Sequence, residues 1–159
     1  MNLTHRTATE KDIPVICSWA ANQDELYYFF PKATHPLTPK QLSEAIAQRA
    51  NSTVVELEGQ PVAFANFYKW ESGGTCSIGN VIVCATARNK GVASFLIKQM
   101  CSIAFRDYNA SVVTVSCFNF NTAGLLLYPK LGFQPFATEE RQDKAGNRVA
   151  LIHMRLPRQ

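Results

Sequence analysis

The amino-acid sequence predicts a mixed α/β fold in which about seven strands form one central sheet and about four helices pack against it. Three runs of strand-like residues are joined by glycine turns at Gly59 and Gly73, which is typical of an antiparallel meander. From Val92 the apolar residues recur at helical spacing, and residues 111–117 are again β-branched. A strand, a helix and a strand in this order favour parallel pairing of the two strands. We expect a single domain that spans residues 1–159.

The N-terminal part of the chain is predicted to contain one strand and two helices. Residues 2–7 form the strand, and Thr9 is the predicted N-cap of the first helix, which reaches Ala20. The second helix begins after Thr38, which opens a capping box, and reaches Ala50. Between the helices, the aromatic residues 26–31 are predicted to form an irregular loop that packs on the core or forms a substrate wall. The remaining predicted elements are strands 53–58, 62–70, 76–84, 111–117, 133–138 and 148–156 and helices 92–107 and 122–131.

The composition argues against several classes of protein. The chain carries 16 basic and 12 acidic residues, a net charge of +4, and has no run of five like charges, so nucleic acid is not expected as the main partner. No segment approaches the roughly 18 apolar residues that span a bilayer, so no membrane association is expected. The five cysteines show neither a CxxC motif nor a Cys/His metal spacing, which indicates a cytoplasmic, reduced protein without a metal site.

The turn that precedes the long helix has the features of an anion site. Gly91 is flexible, and the start of a helix leaves a run of backbone N–H groups unpaired. The helix dipole adds partial positive charge there, and Arg88 and Lys90 supply mobile cations for phosphate oxygens. A plain strand-to-helix turn is the alternative interpretation of this segment taken alone. The turn consists of Arg88, Asn89, Lys90, Gly91, Val92 and Ala93.

This turn resembles motif A of the GNAT superfamily of acyl-CoA-dependent N-acyltransferases. The motif has Gln or Arg, two residues, Gly, one residue, and then Gly or Ala, and Arg88, Gly91 and Ala93 fill it. The resemblance implies a GNAT-like fold and acetyl-CoA as cofactor, with the preceding strand pairing with the pantetheine arm as an extra strand would. The cofactor-binding residues that it implies are Val81, Ile82, Val83, Arg88, Asn89, Lys90, Gly91, Val92, Ala93 and Ser94.

A second segment resembles motif B of the same superfamily, Asn-x-x-Ala-x-x-x-Tyr-x-Lys-x-Gly-Phe. By this resemblance Asn121 bonds the pantetheine arm, Lys130 approaches a cofactor phosphate, and Tyr128 is the catalytic acid. A tyrosine that only fills the core is the alternative. Pro129 departs from the common pattern, and the loss of its N–H is predicted to kink the helix or end it early. The residues in register with the motif are Asn121, Tyr128, Lys130, Gly132 and Phe133.

The sequence does not identify the general base. Some members of the superfamily carry a glutamate on the strand before motif A and others on the strand before motif B, and the corresponding residues here are Ser77 and Ser116. A water chain or an acid from elsewhere is therefore expected to take the amine proton. His5 and His153 lie in predicted strands and are expected to be structural, whereas His35 lies in a loop that can face substrate. The candidate acids lie on loops that are expected to flank the cleft, and they are Asp24, Glu25 and Glu71.

The resemblance implies transfer of an acetyl group from acetyl-CoA to a primary amine, carried by a small molecule or a peptide, through direct attack in a ternary complex. The alternative is a catalytically weak or inactive module that binds acyl-CoA, because Ser77 and Ser116 replace the glutamates. A nucleotide site fits less well, since the turn lacks both the P-loop pattern and GxGxxG. The acceptor, the acyl chain length and the oligomeric state stay open, with a homodimer as one alternative.

Overall fold

A computed structural model describes residues 1–159 and contains one seven-stranded sheet and five α-helices. The strands are β1 Leu3–Thr7, β2 Ala50–Leu57, β3 Gln60–Trp70, β4 Thr75–Val83, β5 Val112–Phe118, β6 Gln134–Gln142 and β7 Arg148–Pro157. The helices are α1 Asp12–Cys17, α2 Gln23–Phe29, α3 Pro39–Ala47, α4 Val92–Asp107 and α5 Thr122–Lys130. The predicted mixed α/β class is confirmed. None of the helices is long and apolar enough to cross a membrane.

The sheet has the order β1-β2-β3-β4-β5-β7-β6, and only β4 and β5 are parallel neighbours. The predicted meander, the β-α-β unit and the closing hairpin are therefore all present. The ladder between β4 and β5 has only three pairs, from Thr75 opposite Val112 to Ser77 opposite Thr114. Both strands continue beyond this point without pairing to each other, so the sheet opens between them.

Two hydrophobic clusters cover the two faces of the sheet, because side chains alternate along each strand. Val54 of β2 and Phe64 of β3 belong to the cluster under α1, α2 and α3. Their neighbours Val55 and Ala63 belong to the larger cluster, which includes the buried face of α4 and Tyr128 of α5. The sheet thus lies between two layers of helices, and the opening between β4 and β5 faces both layers.

The aromatic segment 26–31 is not the irregular loop that the sequence predicts, because residues 23–29 form α2. Asn22 caps this helix by accepting a hydrogen bond from the Glu25 N–H at 2.9 Å. Leu26 and Phe29 are buried one turn apart, so packing of an amphipathic face stabilises a helix that aromatic residues alone favour weakly. This helix raises the number of α-helices to five.

The first helix begins later than the sequence predicts, and Thr9 is not its cap. The carboxylate of Asp12, at the start of α1, instead accepts the Thr9 N–H at 2.7 Å and two bonds from the Arg6 guanidinium at 2.8 Å. Arg6 holds the pKa of the buried Asp12 below its ordinary value by hydrogen bonding to the charged form. This ion pair joins β1 to α1. The capping of α3 by Thr38 agrees with the prediction.

A buried amide pair attaches α2 to the strand that borders the opening. Asn80 lies in β4 at an irregularity in the pairing with β3, and its backbone is left-handed, with φ of 51°. Its Nδ2 donates to the Phe29 carbonyl at 2.8 Å, and its Oδ1 accepts from Asn66 Nδ2 at 3.0 Å. The Arg49 guanidinium donates in turn to Asn66 Oδ1 at 3.2 Å. The end of α2 is therefore fixed relative to β4 by a satisfied polar network.

Replacement of Asn80 by alanine is expected to lower the free energy of unfolding by about 3 kcal/mol, because two buried partners lose their hydrogen bonds and the left-handed backbone disfavours alanine. Asn109 is the matched control, since it has φ of 52° but is exposed. Asn109→Ala should cost only the backbone strain, about 1 kcal/mol. Urea denaturation of both variants measures the difference, and equal losses would contradict the role of the network.

Candidate active site

A cavity of about 450 Å³ lies between the end of β4, the start of α4, α5 and α2. Ten of the twelve predicted cofactor residues line it, and so does Tyr128. The side chains of Lys90 and Lys130 do not line it and are exposed at the surface. The cavity therefore collects residues from motif A and motif B at the place where β4 and β5 separate. The predicted residues that line it are Val81, Ile82, Val83, Arg88, Asn89, Gly91, Val92, Ala93, Ser94, Asn121 and Tyr128.

The strand edge of β4 presents free backbone groups to this cavity. The Cys84 N–H donates to the Val62 carbonyl at 2.7 Å, toward β3. Because backbone groups alternate along a strand, the N–H and C=O of Val83 point to the opposite side. The ladder to β5 ended at Ser77, so β5 offers no pairing there. An extended ligand with amide groups can complete these hydrogen bonds.

The turn before α4 presents backbone N–H groups. Gly91 is the N-cap residue of α4 and has φ of 75°, a left-handed conformation that glycine adopts without strain. No side chain caps the first turn of this 16-residue helix, and Val92, Ala93 and Ser94 of that turn line the cavity. The positive end of the helix dipole adds to these donors, so the turn is suited to an anion such as a pyrophosphate.

Arg88 is the cationic side chain of the turn that lines the cavity. Its guanidinium lies 3.7 Å from the carboxylate of Glu25, which belongs to α2 on the other side of the cavity. Glu25 also accepts the Ala21 N–H at 2.9 Å, which holds its carboxylate near the start of α2. Both charged groups are partly exposed, and such a pair contributes little to stability. Arg88 is therefore available to an anionic ligand.

Asn121 has a structural role in addition to the predicted one. It is the N-cap of α5, where its Oδ1 accepts the Gly124 N–H at 3.1 Å, and it also lines the cavity. Pro129 lies in the last turn of α5, which ends one residue later at Lys130. The missing proline N–H thus leaves the earlier turns of the helix intact, and Tyr128 remains on the face toward the cavity.

Tyr128 is buried and lines the cavity. Its ring packs edge-on against Phe133, with ring centroids 6.0 Å apart, and Cys117 of β5 lies on the same side of the sheet. Burial raises the pKa of the phenol, and the nearby Cys117 thiol raises it further. The hydroxyl therefore stays protonated over the neutral and alkaline range, as a hydrogen-bond donor must.

Four aromatic rings form a wall beside the cavity. The rings of Tyr27 and Phe118 stack at 4.7 Å, those of Phe118 and Phe120 at 5.4 Å, and those of Tyr28 and Phe120 at 4.9 Å. The Tyr27 hydroxyl donates to the Gln142 carbonyl at 3.0 Å, which joins α2 to β6. Tyr27 and Tyr28 belong to the aromatic segment that the sequence predicts as a packed loop or a substrate wall, whereas Phe118 and Phe120 are not predicted to join it, because their neighbours lie far away in the sequence.

A second cavity, of about 610 Å³, lies on the other side of this wall near the turn between β6 and β7. Tyr28 lines both cavities, so they adjoin each other. The charged residues around the second cavity are Asp24, Asp143 and Lys144. The Asp143 carboxylate accepts the N–H groups of Ala145 and Asn147, and these bonds lower its pKa. Acidic groups thus predominate in the second cavity.

The structure separates the candidates for the general base. Glu25 lines the first cavity and Asp24 the second. The expectation that Glu71 flanks the cleft is wrong, because Glu71 precedes β4 and lies at the end of the strand opposite to Val83. The Ser77 hydroxyl is 2.6 Å from the Thr114 hydroxyl, and the Ser116 hydroxyl is 2.6 Å from His153 Nδ1. His35 lines neither cavity.

The fold and the cavity together are those expected of an α/β acyltransferase. A sequence model described as the acetyltransferase (GNAT) family matches residues 17–133, which is most of the chain. The chain belongs to this family. It is therefore an acyl-CoA-dependent N-acyltransferase, and its cofactor is acetyl-CoA. No cluster of three or more histidine, cysteine, aspartate or glutamate side chains in residues 1–159 is arranged to hold a metal ion.

Solved structures with the same fold are similar over nearly the whole chain. Spermidine N-acetyltransferase from Vibrio cholerae, in complex with CoA and spermine, has a TM-score of 0.82 and 18% identity and covers 98% of this chain and 95% of its own. Ribosomal-protein-alanine N-acetyltransferase from Brucella melitensis has a TM-score of 0.79 and 20% identity, with 98% and 99% covered. The yncA protein of Salmonella typhimurium, with its cofactor acetyl-CoA, has a TM-score of 0.77 and 21% identity, with 98% and 93% covered.

Replacement of Gly124 by alanine tests the packing of α5 at the cavity. Alanine within a helix ordinarily stabilises a protein by about 1 kcal/mol relative to glycine. Here the added methyl would lie 3.0 Å from Asn121 Nδ2 and 3.2 Å from the Tyr128 ring, so both side chains must move. We expect a net loss of about 1 kcal/mol in thermal or urea unfolding, together with weaker binding of CoA.

The control for this variant is Leu126→Ala on the same helix, because Leu126 is 60% exposed and lines neither cavity. It should change stability by about 0.5 kcal/mol or less and leave CoA binding unchanged. If Gly124→Ala were more stable than the original chain and bound CoA equally well, the close packing of Gly124 would not constrain the site.

Proposed function

We propose that this enzyme transfers the acetyl group of acetyl-CoA to a primary amine by direct attack in a ternary complex. One observation carries the proposal: a single cavity joins the free edge of β4, the uncapped start of α4 and the buried phenol of Tyr128. These three features suit an amide-containing arm, a pyrophosphate and a leaving thiolate, and they lie in this order around one opening in the sheet. The volume of the cavity is within the usual range for small-molecule sites, about 300–1,000 Å³.

The residues of the chain fit the cofactor in distinct ways. The backbone of Val81, Ile82 and Val83 would pair with the pantetheine arm, and Asn121 would bond it from the opposite wall. The N–H groups from Asn89 to Ser94 would bind the pyrophosphate, with Arg88 adding charge. Lys90 and Lys130 lie outside the cavity, so any contact with phosphate is made at its mouth.

Two groups of the chain, the Val83 N–H and the Tyr128 hydroxyl, are proposed to act on the thioester. The bound thioester supplies an acyl group that an amine can take without activation by a metal. The Val83 N–H, which points away from β3, would polarise the carbonyl of that group. Tyr128 would donate a hydrogen bond, and then a proton, to the sulfur as charge develops there. Its raised pKa means that the phenol is never lost as a donor at neutral pH.

The second cavity is the proposed entrance for the amine. It adjoins the cofactor cavity at Tyr28, and the carboxylates of Asp24 and Asp143 give it an attraction for a cationic group. A structural neighbour that was solved with spermine and CoA supports an amine as the acceptor class. The aromatic wall of Tyr27, Tyr28 and Phe120 would contact the apolar part of such a molecule.

A catalytically weak acyl-CoA-binding module is the second candidate. The observation that favours it is the pairing of the buried Ser77 with Thr114, because two bonded hydroxyls at one of the positions where the resemblance predicts a glutamate cannot act as a base. One experiment distinguishes an active acetyltransferase from a binding module. The protein is incubated with acetyl-CoA and a panel of amines, amino-terminal peptides and polyamines, and release of free thiol is measured. Tight binding of CoA without turnover of any amine would favour the binding module.

The variant Tyr128→Phe should lower kcat by about 100-fold or more, because a general acid contributes on the order of 100-fold to 10,000-fold. Binding of CoA, measured by calorimetry, should stay within about twofold, since the ring is retained and only the hydroxyl is lost. Tyr108→Phe is the control, because Tyr108 bonds Asn51 away from both cavities. A normal kcat in Tyr128→Phe would show that the tyrosine only fills the core.

The variant Arg88→Ala should weaken binding of CoA by about tenfold, the scale of one charge-assisted hydrogen bond. The loss should shrink as salt is added, because screening already weakens the contact between Arg88 and phosphate. Lys130→Ala removes the same charge outside the cavity and should have a smaller effect. Equal effects of the two variants would indicate that only the net charge of the surface matters.

A further inference from the structure

Three side chains form a continuous hydrogen-bonded chain across β5, β7 and β6. The Ser116 hydroxyl is 2.6 Å from His153 Nδ1, and His153 Nε2 is 2.7 Å from Glu139 Oε1. Ser116 and His153 are directly opposite in the β5–β7 ladder, and Glu139 is the diagonal neighbour of His153 on β6. Such pairs have side chains on one face of a sheet within reach of each other. The sequence analysis assigned His153 a structural role and left Ser116 without one.

Ser116 lies beside the opening between β4 and β5. It is two residues beyond Thr114, the last residue of β5 that pairs with β4. Successive side chains of a strand point to opposite faces, so Ser116 and Cys117 flank the opening from two sides. Cys117 belongs to the same cluster as Tyr128, whereas Phe118, on the Ser116 side, stacks on Tyr27 of the aromatic wall. Tyr128, the proposed acid, and Ser116 thus lie on opposite faces of the sheet. Ser116 is on the same face as the aromatic wall beside the second cavity.

The hydrogen bonds decide which atom of His153 can accept a proton. A carboxylate is only an acceptor, so the bond to Glu139 requires the neutral imidazole to carry its proton on Nε2. Nδ1 is then a free acceptor, and Ser116 donates its hydroxyl proton to it. The oxygen of Ser116 keeps lone pairs for another donor. Ser116 and His153 line neither of the two cavities, so His153 Nδ1 is connected to the opening only through the Ser116 hydroxyl.

The charged groups around His153 come from β6 and β7. Glu139 also accepts two hydrogen bonds from Arg141, and the bonds from Arg141 and His153 lower the pKa of its carboxyl. The Phe136 ring lies 6.1 Å from the His153 ring, and the Arg155 guanidinium lies over the Phe136 ring at 5.2 Å from its centroid. Glu139 is therefore ionised at neutral pH, and it is the charge in direct contact with the imidazole.

We propose that Ser116, His153 and Glu139 form a proton relay that deprotonates the acceptor amine, in place of the glutamate that other family members carry at the position of Ser116. The inference rests on the proposed function. The bound ammonium group gives a proton to Ser116 Oγ while Ser116 gives its own proton to His153 Nδ1, and the amine keeps the electron pair of the broken N–H bond. The imidazolium is stabilised by Glu139 and returns its proton to solvent at the partly exposed edge of β6 and β7.

The three side chains have different roles in this relay. Ser116 contacts the amine and is the catalytic group, His153 accepts the proton through it, and Glu139 is a positioning residue that sets the tautomer. The alternative is that the three side chains only stabilise the sheet, and a structural contact of this kind would show the same hydrogen bonds. The two interpretations differ in the pH dependence of catalysis and in the requirement for a group that accepts protons.

The test compares His153→Gln with Glu140→Gln. Glutamine retains hydrogen-bonding groups near Ser116 and Glu139 but does not accept a proton, whereas Glu140 bonds Arg148 and is the neighbouring glutamate on the opposite face of β6. At pH 7 we expect His153→Gln to lower kcat/KM for the amine by about 100-fold, the scale of general base catalysis. The deficit should shrink by about tenfold toward pH 10, where free amine is abundant. Glu140→Gln should match the original chain.

Ser116→Glu in the His153→Gln background provides a rescue. A carboxylate at this position can accept the amine proton directly, so activity at pH 7 should recover by at least about tenfold. An unchanged kcat/KM in His153→Gln, a deficit that is the same at every pH, or failure of the rescue would each overturn the relay while leaving the acetyltransferase function intact. Absence of turnover by the original chain with every amine would instead overturn the function and the relay together.

A measurement independent of activity tests the tautomer. In protein with ¹⁵N-labelled histidine, the neutral His153 ring should carry its proton on Nε2 in NMR spectra, with Nδ1 unprotonated. His153→Gln identifies the resonance by its disappearance. A ring protonated on Nδ1 would overturn the relay, because that nitrogen would then have no lone pair to accept the proton from Ser116.

Discussion

The early separation of β4 and β5 is the constraint on which the site depends. Two parallel neighbours that stop pairing after three residues leave backbone donors and acceptors unmet in the middle of a sheet, where such groups are normally paired. The strand edge that results can bind an extended chain with amide groups. Because the helix that follows β4 begins at the same end of the sheet, its positive end lies next to this edge. One feature of the sheet therefore prepares both parts of the cofactor site.

Two contacts hold α2 against this opening and so shape its outer wall. Asn80 bonds the carbonyl of Phe29, and the Tyr27 hydroxyl bonds the carbonyl of Gln142. The helix is short and would be unstable in isolation, so its position is set by these bonds and by the burial of Leu26 and Phe29. The α2 side of the wall is therefore fixed to β4 by one buried hydrogen bond and to β6 by another that is partly buried.

The two serines at the positions where the resemblance to the family predicts a glutamate have different surroundings. Ser77 is buried within the last ladder pair, where only another hydroxyl reaches it. Ser116 lies beyond that pair and is bonded to an imidazole that is itself bonded to a carboxylate. A short polar side chain can serve in proton transfer when its partner has the capacity to accept the proton. Under the proposed relay, a chain without a glutamate at this position still has a group that accepts the amine proton.

The sequence by itself determined the class of fold, the order of the strands and helices after residue 50 and the cofactor, because periodicity and the two motifs are local patterns. The anion-binding role of the turn at residues 88–93 stays a prediction. It did not predict α2, whose stability comes from burial rather than from helix propensity. It also gave no indication that Phe118 would join the aromatic wall or that His153 would bond Ser116. Those contacts join residues far apart in the chain, and only the pairing and twist of the strands brought them together.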